Sequence, residues 1–159
     1  MKQRKTYTIM DELMASPSEP LAIHKRMYQL ELMWKSLENI EKGENPTRLD
    51  WQMVSDAVNM VEALRDLGVV QDPEGAIDDA VKALGKAGMR SLDGHHIRLD
   101  GRDIILMRGL LEDYCEAINE LPARTMIRAH RYAEERIQGI LRGKKRSNDV
   151  VIKNDRKRG

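Results

Sequence analysis

TRLDWQMVSDAVNMVEALRDLG, residues 47–68, is the stretch whose reading decides the fold. Two apolar ladders run through it at spacings of three and four. One is Trp51, Val54, Val58 and Val61; the other is Met53, Ala57, Met60, Leu64 and Leu67. That is helical periodicity, and it leaves only a narrow polar strip of Gln52, Ser55, Asp56, Asn59, Glu62 and Asp66. A helix with so wide an apolar surface needs several neighbours, which places it at the centre of a helical domain. Thr47 stands where an N-cap belongs, with the acidic Asp50 three residues on, and Gly68 ends the segment.

The flanking sequence supplies the neighbours. Upstream, Ser16, Pro17 and Glu19 form a cap-and-proline start, and Ile23, Met27, Leu30, Trp34 and Leu37 repeat at four and three. These predict a helix over 17–42, stopped by Gly43, Asn45 and Pro46. So short a connection makes helices 17–42 and 48–67 an antiparallel hairpin. Downstream, Asp72-Pro73 opens a helix over 73–87 that ends at Gly88. Residues 89–99, MRSLDGHHIRL, read as a short β-hairpin around Asp93-Gly94 or as an irregular loop. Asp100 caps a helix over 101–121 with an acidic edge of Glu112, Asp113, Glu116 and Glu120, and Pro122 separates it from a last helix over 123–142. The expectation is an all-α domain of about five helices, orthogonal or bundle-like, over residues 16–143. It carries an N-terminal arm at 1–15, with at most one helical turn at DELMA, and a basic flexible tail at 144–159.

Composition sets the limits. A chain of 159 residues with 41% hydrophobic content supports one core, and with only two Trp, four Tyr and no Phe that core is aliphatic. Ten methionines make it adaptable. The single Cys115 permits no internal disulfide and points to a reducing, cytoplasmic setting, and no stretch has the length of a membrane span. The net charge of +1 conceals an asymmetry: residues 1–121 carry −7 and residues 122–159 carry +8. Arg128, Arg131, Arg136, Arg142, Lys144, Lys145 and Arg146 are therefore candidate contacts for an acidic partner, whether a protein or a nucleic-acid backbone.

Chemical motifs are sparse. His95 and His96 are adjacent, so they do not share a helical face, and no second set of metal-spaced ligands accompanies them. They read as polar loop residues that, with Arg98, contact a partner. Cys115 lies on an apolar face, His24 and His130 read as structural, and there is no phosphate-cradling glycine loop. The expectation is a non-catalytic protein without metal or cofactor.

The runs LELMWKSLENIEKGE, WQMVSDAVNMVEALRDLGVVQDPEG and ELPARTMIRAHRYAEERIQGILRGKK resemble uncharacterised small all-helical proteins of bacterial phages, prophages and related mobile elements. The resemblance implies accessory or regulatory work, including interference with a host defence or regulatory pathway. Together these readings predict a protein-binding regulator whose apolar faces and opposite charges also suit a second copy, as a homodimer. The alternative is a small nucleic-acid-associated regulator that uses the basic C-terminal helix and tail.

Overall fold

A computed structural model describes residues 5–72, 74–141 and 143. Its elements are α1 (Ile9–Met14), α2 (Ile23–Lys42), α3 (Arg48–Asp66), α4 (Ala76–Leu92), α5 (Gly101–Glu120) and α6 (Ala123–Leu141). The architecture is all-α, an orthogonal bundle with no strand among the described residues.

The central helix begins as its sequence predicts. The Thr47 hydroxyl accepts from the Asp50 N–H at 3.2 Å, and the Asp50 carboxylate accepts from the Thr47 N–H at 2.9 Å. Asp thus completes the capping box for which Glu is the usual residue. Burial pushes the Asp50 carboxyl up, but hydrogen bonds from Thr47, Asn39 and Ser36 outweigh it and hold the group below its ordinary range. From this cap α3 runs through the interior, packed against α2, α4, α5 and α6. Val54, Val58, Ala63 and Leu64 are fully enclosed, and Trp51 donates its indole N–H to the Leu84 carbonyl of α4 at 2.9 Å. The burial extends to the polar strip: Ser55, Asn59 and Glu62 are 0%, 3% and 1% exposed.

Three boundaries differ from the sequence reading. The first long helix starts at Ile23, not at residue 17. Ser16 Oγ does accept from the Glu19 N–H at 2.8 Å, but no helix follows. Pro20 disfavours helical backbone at the residue before it and brings no N–H of its own. The Ser16 and Glu19 carbonyls instead accept the N–H groups of Arg124 and Ala123, at 3.0 and 2.7 Å, and so cap the first turn of α6. As a result the buried face of α2 is Leu30, Met33, Leu37 and Ile40, while Ile23, Met27 and Tyr28 lie exposed.

The second difference is at the third predicted helix, α4, which passes through Gly88 to Leu92 and removes the hairpin. Gly88 has ordinary helical backbone and is buried; the first left-handed residue is Gly94, at φ 87°, where the helix stops. The His95 N–H then closes on the Arg90 carbonyl at 3.2 Å, and residues 95–100 form a loop that turns Ile97 and Leu99 into the core. Third, the N-terminal arm contains a full capping box, Thr8 with Asp11, that starts α1. This short helix packs on α6 of its own chain, tied by Glu12 to Arg131 at 2.9 Å and by the Leu13 carbonyl to Arg124 at 2.9 Å.

Because α3 anchors all four of its neighbours, damage to it is expected to register as global destabilisation. Leu64→Ala should cost about 2–5 kcal/mol and Thr47→Ala about 1 kcal/mol, read as shifts in urea midpoint at unchanged slope.

Candidate functional site

The residues chosen from sequence have diverse placements. Arg98 reaches across its own chain: its guanidinium donates to the Ile40 carbonyl at 2.9 Å and to the Gly43 carbonyl, satisfying the open end of α2. That end is tight, since a Cβ on Gly43 would stand 2.6 Å from the Asn39 carbonyl oxygen. His95 and His96 are exposed in the loop. Among the described residues there is no group of three or more His, Cys, Asp or Glu placed to hold a metal ion.

The basic helix is turned largely inward. Arg136 is buried and pairs with Glu62 at 2.8 Å and with Asp66 at 3.2 Å. Its guanidinium also lies over the Tyr132 ring, 5.4 Å from the centroid. Arg131 is held by Glu12, with Glu135 further off at 3.9 Å. Arg128 alone of these three is exposed. Arg131 and Arg136, expected from the sequence as contact residues, face carboxylates of α1 and α3 of the same chain, which charge and spacing alone did not reveal. Arg142, Lys144, Lys145 and Arg146 lie outside the described residues.

What the structure brings together is a groove of about 910 Å³ bordered by α2, α3, α6 and the segment before α1. Gln52, Asp56 and Asn59 of α3 follow one another at helical spacing along it, on the same polar strip that carries Glu62 further on. Met33, Met53 and Met60 give apolar wall; His130, Glu134 and Glu135 come from α6. Asp56 is open to solvent on the groove side yet crowded by protein, and this burial pushes its carboxyl above the ordinary value. A hydrogen bond from Gln52 at 2.7 Å and the nearby His130 oppose that rise, and Glu134 adds to it. No Lys or Arg among the described residues forms an ion pair with Asp56. Asn59 Oδ1 is buried and accepts no hydrogen bond from a described residue.

Aromatic residues close the back of the site. Tyr114 of α5 lines the groove, its phenol pushed up to about 12 by burial and, secondarily, by the charges of Asp56 and Tyr7. The Tyr7 ring meets the His130 ring edge-on, with centroids 5.2 Å apart. His130 Nδ1 stands 3.3 Å from Glu134 Oε1 without hydrogen-bond alignment. Chemically this arrangement accepts hydrogen bonds and favours positive charge. The sequence did place Asp56 and Asn59 on one strip, but nothing in it showed that α6 would arch over them. Cys115 is elsewhere engaged, its sulfur 3.7 Å from Asn119 Nδ2.

A second, smaller cavity of about 330 Å³ lies between α3, α4 and α5. Its floor is apolar, with Val61, Leu64 and Ile77, and its rim carries Asp113, Glu116 and Glu120 from the acidic edge of α5. Burial raises the Asp113 carboxyl, reinforced by repulsion from Glu116, Glu112 and Asp72. Comparisons with protein-family models, with curated proteins and with solved structures returned no match.

Two outcomes test the electrostatics. Arg136→Met removes the nearest cation from the buried Glu62 and leaves it Arg65 at 3.6 Å, with an expected loss of about 3 kcal/mol; Glu62→Leu combined with Arg136→Met should recover most of it in urea denaturation. At Asp56 the folded chain holds the carboxyl proton more tightly than the unfolded chain. Stability therefore falls as pH rises from the ordinary value near 3.8 through the raised one, and stays lower above it. Asp56→Asn should accordingly be more stable than the parent at pH 7, with the difference closing below about pH 4.

Proposed function

We propose that this chain is a non-catalytic protein-binding regulator whose docking site is the groove between α2, α3 and α6. The observation that carries the proposal is the groove itself. It combines methionine walls, which adapt to varied side chains, with polar groups from α3, of which Asn59 Oδ1 meets no donor and Asp56 no Lys or Arg among the described residues. From Gln52 to Met60 there are eight helical steps, so the groove runs on the order of 12 Å along α3. That length suits about two turns of helix or four extended residues from another protein.

No helix of the described residues is long and apolar enough to cross a membrane. The accessory role in a mobile element, which the sequence resemblance implies, belongs to the same proposal. Self-association belongs to it as well, since the first turns of α2 expose Ile23, Met27 and Tyr28.

Photocrosslinking amino acids placed at Gln52 and Glu135, and at Lys86 on α4 as a control remote from the groove lining, test the proposal in native host cells. The expected outcome is a discrete protein adduct from the two groove positions and none from Lys86. An adduct of twice the chain mass identifies a second copy as the occupant. Equal labelling from all three positions, or none from the groove, overturns the proposal.

A further inference from the structure

The polar strip of α3 is served unequally along its length. At its C-terminal end Arg136 and Arg65 meet the carboxylates: Arg136 reaches Glu62 and Asp66, and Arg65 lies 3.6 Å from each of the two. Nearer the N-terminus of α3 no Lys or Arg among the described residues pairs with Asp56, whose hydrogen-bond partner is the neutral amide of Gln52 and whose nearby base is His130. Asn59, on the same strip and 3% exposed, leaves Oδ1 without a donor from the described residues. A buried acceptor without a donor costs free energy, as does a crowded carboxylate without a cation. Both deficits lie in one groove, three residues apart on one helix.

The groove's overall charge has the same sign. Asp56, Glu134 and Glu135 line it against Lys5, the sole Lys or Arg among the lining residues. Glu134 is already engaged by the Thr6 N–H at 3.2 Å and by His130. Asp56 is therefore the carboxylate best placed to receive an incoming cation, with the unserved acceptor Asn59 Oδ1 one helical turn further along the same groove. The apolar walls at Met33, Met53 and Met60 suit the alkyl stem of such a cation and the apolar residues next to it in a chain.

We propose that the groove recognises a lysine or arginine side chain carried on an otherwise apolar segment of a partner protein, with the cation at Asp56 and Asn59. This rests on the docking role proposed above and specifies what the groove selects. A free small amine would occupy only part of about 910 Å³ and leave the methionine walls wet, whereas a segment covers both the carboxylate and the walls.

The test is selection of random twelve-residue peptides displayed on phage against the full chain, followed by titration of the selected synthetic peptides by fluorescence anisotropy. The expected peptides share a Lys or Arg beside apolar residues. Replacing that residue with norleucine should weaken binding about tenfold or more, the scale of a lost charge-assisted hydrogen bond. Asp56→Asn should weaken the parent peptide by a similar factor and leave the norleucine peptide unchanged, while Glu120→Gln at the second cavity alters neither. Peptides that crosslink to the groove yet lack a cation, or that bind Asp56→Asn as well as the parent, overturn the cation assignment and leave the docking role standing. Selected peptides that crosslink only outside the groove overturn both. Binding of 1,5-diaminopentane with the same dependence on Asp56, when no peptide binds, overturns the peptide occupant in favour of a small amine.

Discussion

The contact between Glu62 and Arg136 governs how this protein is assembled. Glu62 sits on the most enclosed helix, 1% exposed, and a carboxylate there needs a cation that is equally removed from water. Arg136 supplies it from α6 at 2.8 Å, with Asp66 and the Tyr132 ring completing its surroundings. An apolar pair of the same volume would satisfy packing alone. The ion pair also sets the position of α6 over the polar strip of α3, since a shift along either helix would break the shortest contact each buried charge makes. With α6 so placed, α1 can lie on it through Glu12 and Arg131, and the linker carbonyls of Ser16 and Glu19 can cap its first turn.

The groove follows from the same placement. Where Arg136 reaches α3, the strip is closed and neutralised; nearer the N-terminus of α3, α6 presents His130, Glu134 and Glu135 and no Lys or Arg. The walls stand apart there, and Asp56 and Asn59 remain in a recess. Among the described residues Asn59 Oδ1 there meets no donor and Asp56 no Lys or Arg, both of which carry a cost in free energy. The Asp56 carboxyl in particular is crowded by protein, which disfavours its charged form.

The charge asymmetry takes on a different meaning in three dimensions. Seen along the chain, the C-terminal arginines look like a surface for an acidic partner. In the fold, Arg124, Arg131 and Arg136 each bond to groups of the same chain, so part of the positive charge serves the interior. Arg98 has a similar history: a loop arginine in the sequence, it sits across the chain at the carbonyls that end α2. Long-range pairing of this kind has no local signature, because charge and spacing name the donor but not the acceptor that will face it.

Local physics was legible in the amino-acid order. Thr47 with Asp50, Asp100 with Asp103 and the ladders of α3 determine where helices begin and which of them lies at the centre, since caps and periodicity act over a few residues. Other boundaries depended on competition between segments. Ser16 made its hydrogen bond yet started no helix, because its carbonyl and that of Glu19 were needed by α6; Gly88 ended none, because only Gly94 takes the left-handed turn. The groove was decided wholly by tertiary packing. Gln52, Asp56 and Asn59 were always on one strip, but whether such a strip meets water, an arginine or an empty recess depends on the helix that crosses it.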